Sequence, residues 1–194
     1  INDSFHTRAS DVPATFMMSE NEYGYIRMLT CRLLSLPYGS GGYSMLIAYP
    51  YDGVSFDETL TELNTLANRY LMTLVSGYLH KLKIKLPKFS IDNCEMDFSS
   101  LLKSIGIDIP FSTKADFSGI SENGFSIDKV IQNSSIDVNE KGTDSASVTK
   151  IIRYTTNPGG SMIDDSEFYV DSPFMFFVME SGSGSILFAG QKVN

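Results

Sequence analysis

The sequence predicts an α+β fold built on a largely antiparallel or mixed sheet system, and three observations carry that expectation. Segments that alternate apolar with polar residues, or run densely apolar, outnumber those with helical spacing. Turns rich in glycine, proline or serine join consecutive segments, as antiparallel neighbours require. Helical periodicity is sustained over one long stretch only, between Leu60 and Leu74.

In chain order, residues 1–20 form an extended lead-in. Tyr23–Leu36 reads as strand and closes at Pro37-Tyr-Gly-Ser-Gly-Gly42, from which Tyr43–Tyr49 returns. That turn lacks the Gly-Lys-Ser/Thr ending of a phosphate loop, so it is a hairpin. Pro50 and Asp52-Gly53 stop the second strand. Ser55 with Glu58 forms a capping box, each side chain satisfying a backbone donor at a helix start. Leu60, Leu63, Leu66, Ala67, Tyr70, Leu71 and Leu74 then recur at helical spacing and form a core stripe. From His80 to Phe89 the period becomes two, with Lys81, Lys83 and Lys85 on one face and Leu82, Ile84 and Leu86 on the other. A short helix over Asp97–Ile105 ends at Gly106, and residues 110–124 are loop.

Lys129–Asn139 alternates as a strand, and Pro173–Met179 is apolar enough to be a buried one. Between them lies a connection, residues 140–172, far longer than a compact domain usually tolerates. From Thr143 to Val148 its side chains are small or short, and no proline occurs before Pro158. Every backbone N–H there is available, so the loop can become a strand. Glu180–Ser185 turns the last pair, Phe174–Met179 and Ile186–Ala189.

Composition narrows the function. The 194 residues are 42% hydrophobic, carry no Trp and contain no run long enough to span a membrane, which suits one domain or a large piece of one. Net charge is −8 and the pI about 4.7, against a nucleic-acid partner. With that acidity, the lysine row of residues 81–85 is a solvated strand face rather than a polyanion site. Ile1 in place of Met is expected of a processed chain or a fragment. Cys31 and Cys94 leave one bridge or two free buried thiols open.

Reacting groups are few. The histidines are His6 and His80, there is no Gly-x-Ser-x-Gly elbow, and no His or Cys spacing suits zinc. Ser183 lies in a Gly-Ser-Gly turn, and His80 beside Lys81 is a surface residue. Asp164, Asp165 and Glu167 keep a loop solvated rather than forming an acid–base pair. A hydrolase using Ser183 and His80 is therefore the weaker reading. No catalytic residue, cofactor or metal is expected.

Particular motifs resemble the C-terminal half of a serpin, in family order. They are Leu36-Pro37-Tyr38 with Ser44-Met45-Leu46-Ile47, Leu86-Pro87-Lys88-Phe89, and Ala115-Asp116-Phe117-Ser118-Gly119-Ile120-Ser121. Val138-Asn139-Glu140-Lys141-Gly142-Thr143 is similar to the hinge of the reactive-centre loop. Asp171–Phe177 and Ser185–Gly190 are similar to the closing strands. The resemblance implies a partial serpin domain over residues 1–194, its reactive-centre loop at about 140–172. It implies inhibition of a serine protease, with cleavage of the loop, an acyl-enzyme, and insertion of the cleaved loop into the large sheet. A dozen or so inserted residues, at roughly 1 kcal/mol net per backbone hydrogen bond, release on the order of 10 kcal/mol. That suffices to distort a triad and its oxyanion hole.

By the same resemblance the hinge comprises Glu140, Gly142, Thr143, Ser145, Ala146, Ser147, Val148 and Thr149. Thr143, Ser145, Ser147 and Thr149 share the inward parity. Serines stand at 145 and 147 where the family prefers alanine, and Arg153 shares the inward parity. The family's spacing of fourteen residues beyond Gly142 places the scissile bond at Thr156–Asn157, suiting an elastase-like protease. The alternative is Arg153–Tyr154, suiting a trypsin-like one. Gln132 stands where the family often has histidine, and the sequon at Asn133 is expected to be buried in mid-strand. A non-inhibitory carrier, chaperone or storage serpin is the second reading. Members work inside and outside cells, with an extracellular site favoured here and a cytoplasmic one the alternative. Because the resemblance starts midway through the family pattern, the chain is expected to be part of a longer serpin and, alone, to leave a sheet edge open.

Overall fold

The computed structural model describes residues 1–7, 9–39, 42–65, 77–140 and 166–194. They form two compact units, residues 1–88 with 139–194 and residues 89–138.

The first unit is built on an eight-stranded sheet. Its strands are β1 (Asn2–His6), β2 (Asp11–Arg27), β3 (Cys31–Tyr38), β4 (Tyr43–Pro50), β5 (Leu79–Pro87), β8 (Glu167–Tyr169), β9 (Phe174–Glu180) and β10 (Ile186–Lys192). The order is β10-β9-β4-β3-β2-β5-β8, with β1 also on β2. Every pairing is antiparallel except β5 with β8. The expected mixed, mainly antiparallel system is what forms.

The residues 1–20 read as an extended lead-in become strands that pair. β2 organises the sheet through three partners in succession. Residues 11–15 pair with β1, 16–24 with β5, and 24–27 with β3. The continuous strand expected over Tyr23–Leu36 is instead two strands, β2 and β3, turned at residues 28–30. The turn was hidden because it carries neither Gly nor Pro. A long-range contact holds it: the Glu62 carboxylate accepts from the N–H of Leu29 at 3.0 Å, from that of Thr30 at 2.9 Å, and from the Thr30 hydroxyl.

β3 and β4 are central and read as nearly unbroken apolar runs. Leu33, Leu34, Leu36 and Met45–Tyr49 are all buried, as strands covered on both faces should be. They form the expected hairpin, from Tyr38↔Tyr43 to Cys31↔Pro50. β5 keeps the period-two pattern, with Leu82, Ile84 and Leu86 buried. Helix α1 runs from residue 56 through 65, the last described there, and starts with the predicted capping box. The Ser55 N–H donates to Glu58 Oε2 at 2.9 Å, and the Glu58 N–H donates to Ser55 Oγ at 3.2 Å. Leu63 joins Cys31, Leu33, Leu46, Ala48, Met175 and Met179 in one core, with Phe56 against it. Leu66, Ala67, Tyr70, Leu71 and Leu74 lie outside the described residues.

The second unit pairs β6 (Phe89–Asp97) with β7 (Ile131–Val138), antiparallel from Phe89↔Val138 to Asp97↔Ile131. A bulge falls between Ile91 and Cys94, where Asn93 takes φ 53°. Helix α2 (Ser99–Ser104) is shorter than the Asp97–Ile105 expected from sequence. Asp97 accepts from the Ser99 N–H at 2.9 Å ahead of it, and Gly106, at φ +91°, follows it. In the motif at residues 115–121, Phe117 stacks on Phe125 at 5.0 Å.

Both cysteines are free, Cys31 buried and Cys94 exposed. The expectation of two buried thiols therefore fails for Cys94, on the two-stranded β6–β7 sheet. Asn133 is likewise exposed on β7, contrary to the burial expected in mid-strand, because β7 has β6 as its one strand partner among the described residues.

Candidate functional site

The site expected from the sequence is the segment joining β7 to β9. Of its residues the structure describes Glu140 and residues 166–172. The hinge positions Gly142, Thr143, Ser145, Ala146, Ser147, Val148 and Thr149 lie outside the described residues. So do the bonds Thr156–Asn157 and Arg153–Tyr154 and the carboxylates Asp164 and Asp165. What the structure shows is how each end of the segment is held.

At the leading end, Lys88 and Glu140 form an ion pair through Nζ and Oε1. Lys88 follows β5 directly, and its own N–H donates to the Thr15 carbonyl at 2.8 Å. The hydrogen bond from Lys88 holds the Glu140 carboxyl below its usual range, with help from its own backbone N–H. Sequence reasoning placed Glu140 in the hinge but did not identify Lys88 as its partner. Before it, β7 offers a second edge that no described strand occupies. Gln132, on that strand, is exposed, its amide 3.4 Å from Ser134 Oγ.

At the trailing end the long loop is shorter than its sequence suggested, because β8 occupies residues 167–169. The missed signal was the alternation of Glu167-Phe-Tyr-Val170, masked by the acidic residues ahead of it. β8 pairs parallel with β5 in the register Lys83↔Glu167, Ile84↔Phe168, Lys85↔Tyr169. The Lys83 N–H donates to the Ser166 carbonyl at 2.7 Å, and the Val170 N–H to the Lys85 carbonyl at 2.8 Å. Phe168 and Val170 are fully buried. The Phe168 ring lies edge-on to Tyr25 at 5.9 Å and Tyr49 at 6.1 Å, with the Arg32 guanidinium 5.2 Å from its centroid. Beyond it, the Tyr49 hydroxyl donates to Asp171 at 2.9 Å and accepts from Ser172 at 2.7 Å.

The lysine row is neutralised one residue at a time. Lys81 meets Glu20 at 3.1 Å, Lys83 lies 4.0 Å from Glu167, and Lys85 pairs with Asp3.

The residues weighed for hydrolysis are not brought together. Ser183 lies in the β9–β10 turn, where its hydroxyl donates to Glu180 at 2.6 Å, while His80 lies on β5 against Tyr25. Strands β4, β3 and β2 separate β9 from β5. Among the described residues no group of three His, Cys, Asp or Glu could hold a metal ion.

A family model described as "Serpin (serine protease inhibitor)" matches residues 2–194. The bovine "Leukocyte elastase inhibitor" is 32% identical over 87% of this chain and 45% of its own length. The human protein of that name is 30% identical over 98% and 51%. Wheat "Serpin-Z1B" is 32% identical over 100% and 50%. Among solved structures, mouse protein-Z dependent protease inhibitor superposes with TM-score 0.74 at 28% identity, covering all of this chain and 49% of that one. A serpin of the trematode Schistosoma haematobium, at 23% identity, gives TM-score 0.79 over 100% and 50%. The chain thus spans about half the length of the relatives it matches.

Proposed function

The chain belongs to the serpin family, and from that premise we propose that the protein of which it forms part inhibits a serine endopeptidase as a suicide substrate. The fold is that of a serpin's C-terminal half. The single observation that carries the mechanism is the edge of β7 that no described strand occupies. That strand ends two residues before Glu140, where the expected hinge begins, and its far side has no strand partner among the described residues. A segment anchored at Glu140 and at β8, and free of proline as far as Pro158, suits entry beside β7 once it is cut between its anchors. Entry carries the acylated protease along and disorders its oxyanion hole before water releases it.

The protease class follows from the bond attacked. Thr156–Asn157 suits an elastase-like S1 pocket, and relatives named leukocyte elastase inhibitor support that choice. Arg153–Tyr154 would suit a trypsin-like one. In this reading the protein is a consumed substrate rather than an enzyme. An extracellular and a cytoplasmic target both fit this reading.

The test is incubation of the full-length parent with an elastase and, separately, with a trypsin. The expected outcome is an SDS-resistant adduct with elastase and a released peptide beginning at Asn157 by mass spectrometry. A peptide beginning at Tyr154 would reassign the target, and turnover without an adduct would refute the inhibitor reading.

A further inference from the structure

Among the described strands of the first unit, β8 is weakly knitted into the sheet. It contributes three residues, sits at the end of the strand order, and pairs in parallel, the weaker mode per residue. Side chains must supply what the short ladder lacks. On the buried side Phe168 does so, enclosed by Tyr25, Tyr49 and Arg32. On the other side Glu167 and Tyr169 project together, two residues apart.

We propose that Lys83 is a positioning residue that clasps β8 to the sheet through Tyr169 and Glu167, and so fixes the trailing end of the reactive segment. The proposal rests on the inhibitor reading for its consequence, though not for its geometry. Lys83 is the β5 residue directly opposite Glu167, and its ammonium reaches both projecting side chains. Its proton is held more tightly than in a free lysine, first by the hydrogen bond to Tyr169 and then by the carboxylate of Glu167. Lys81, two residues back on the same face, is paired with Glu20 of β2. The two lysines look alike in sequence, and only register separates their tasks. A released β8 would leave the loop with a slack trailing end, and a slack bait presents its scissile bond poorly.

The test uses the full-length parent and its variants Lys83→Met, Lys83→Arg and Lys81→Met. The readout is amide exchange at Val170, whose N–H bonds across the β5–β8 junction, with β3–β4 amides and Tm as references. Lys83→Met is expected to speed Val170 exchange roughly two- to fivefold, the scale of a partly exposed ion pair, with Tm and the reference amides unchanged. Lys83→Arg should restore slow exchange, and Lys81→Met should leave it alone. Exchange at Val170 equal to that of the parent in Lys83→Met overturns the proposal. So does acceleration spread evenly over all strands with a fall in Tm. Failure of the inhibitor reading shows separately, as a parent that forms no adduct, and the exchange readout stands in either case.

Discussion

Gly190, on β10, has no room for a side chain. A Cβ there would stand 2.9 Å from Cε1 and 3.1 Å from Cε2 of Phe176, with Cζ closer still, and that ring is only 2% exposed. The register Gly190↔Phe176 places the two residues opposite each other across β9 and β10. Gly190→Ala in the parent should destabilise by about 1–3 kcal/mol, read as a lower urea midpoint at unchanged slope. The cysteines make a second residue-scale contrast. Burial, reinforced by the charge of Glu62, pushes the Cys31 thiol up to about 12, and Cys94 is exposed. A maleimide should label Cys94 in the native protein and Cys31 only after denaturant is added. Native labelling of Cys31 would contradict the packing of β3 against α1. Neither behaviour can be read from the cysteines' sequence neighbours.

At the scale of elements, the Lys88–Glu140 pair links the end of β5 to the start of the connection between β7 and β8. The Glu140 carboxyl has a lowered pKa in the folded state. The stabilisation is therefore fully present above its ordinary value of 4.5 and is lost as pH falls through the lowered one. Amide exchange at Asn139 and Glu140 should be faster in Glu140→Gln than in the parent near neutrality. The difference should vanish as the solution is acidified through that lowered value. A gap that persists at low pH would mean the charge plays no part. The elements themselves were largely legible. The capping box at Ser55 and Glu58, the β3–β4 hairpin, the alternation of β5 and the last strand pair each announce themselves within a few residues. The turn at residues 28–30 and the short β8 did not, because a distant carboxylate and a neighbouring strand, respectively, stabilise them.

At the scale of the whole molecule, the β6–β7 sheet has two strands among the described residues. Two strands form a marginal sheet in water, and no described strand pairs with the far side of β7. If the cut segment enters there, it adds backbone hydrogen bonds along β7. Cleavage within residues 141–165 of the parent should then raise its Tm markedly, measured by calorimetry before and after the cut. An unchanged Tm would favour a carrier or storage protein, whose loop is cut without being taken in.

The family and the mixed sheet system could be read from residue order alone. Periodicity, caps and turn residues are local properties, and motifs keep their order in any member. Tertiary structure alone decided which lysine meets which carboxylate, why Cys94 and Asn133 face solvent, and that Ser183 and His80 lie three strands apart. Those outcomes depend on strand order and register, which bring distant residues together through backbone pairing that leaves no mark on the sequence around either partner.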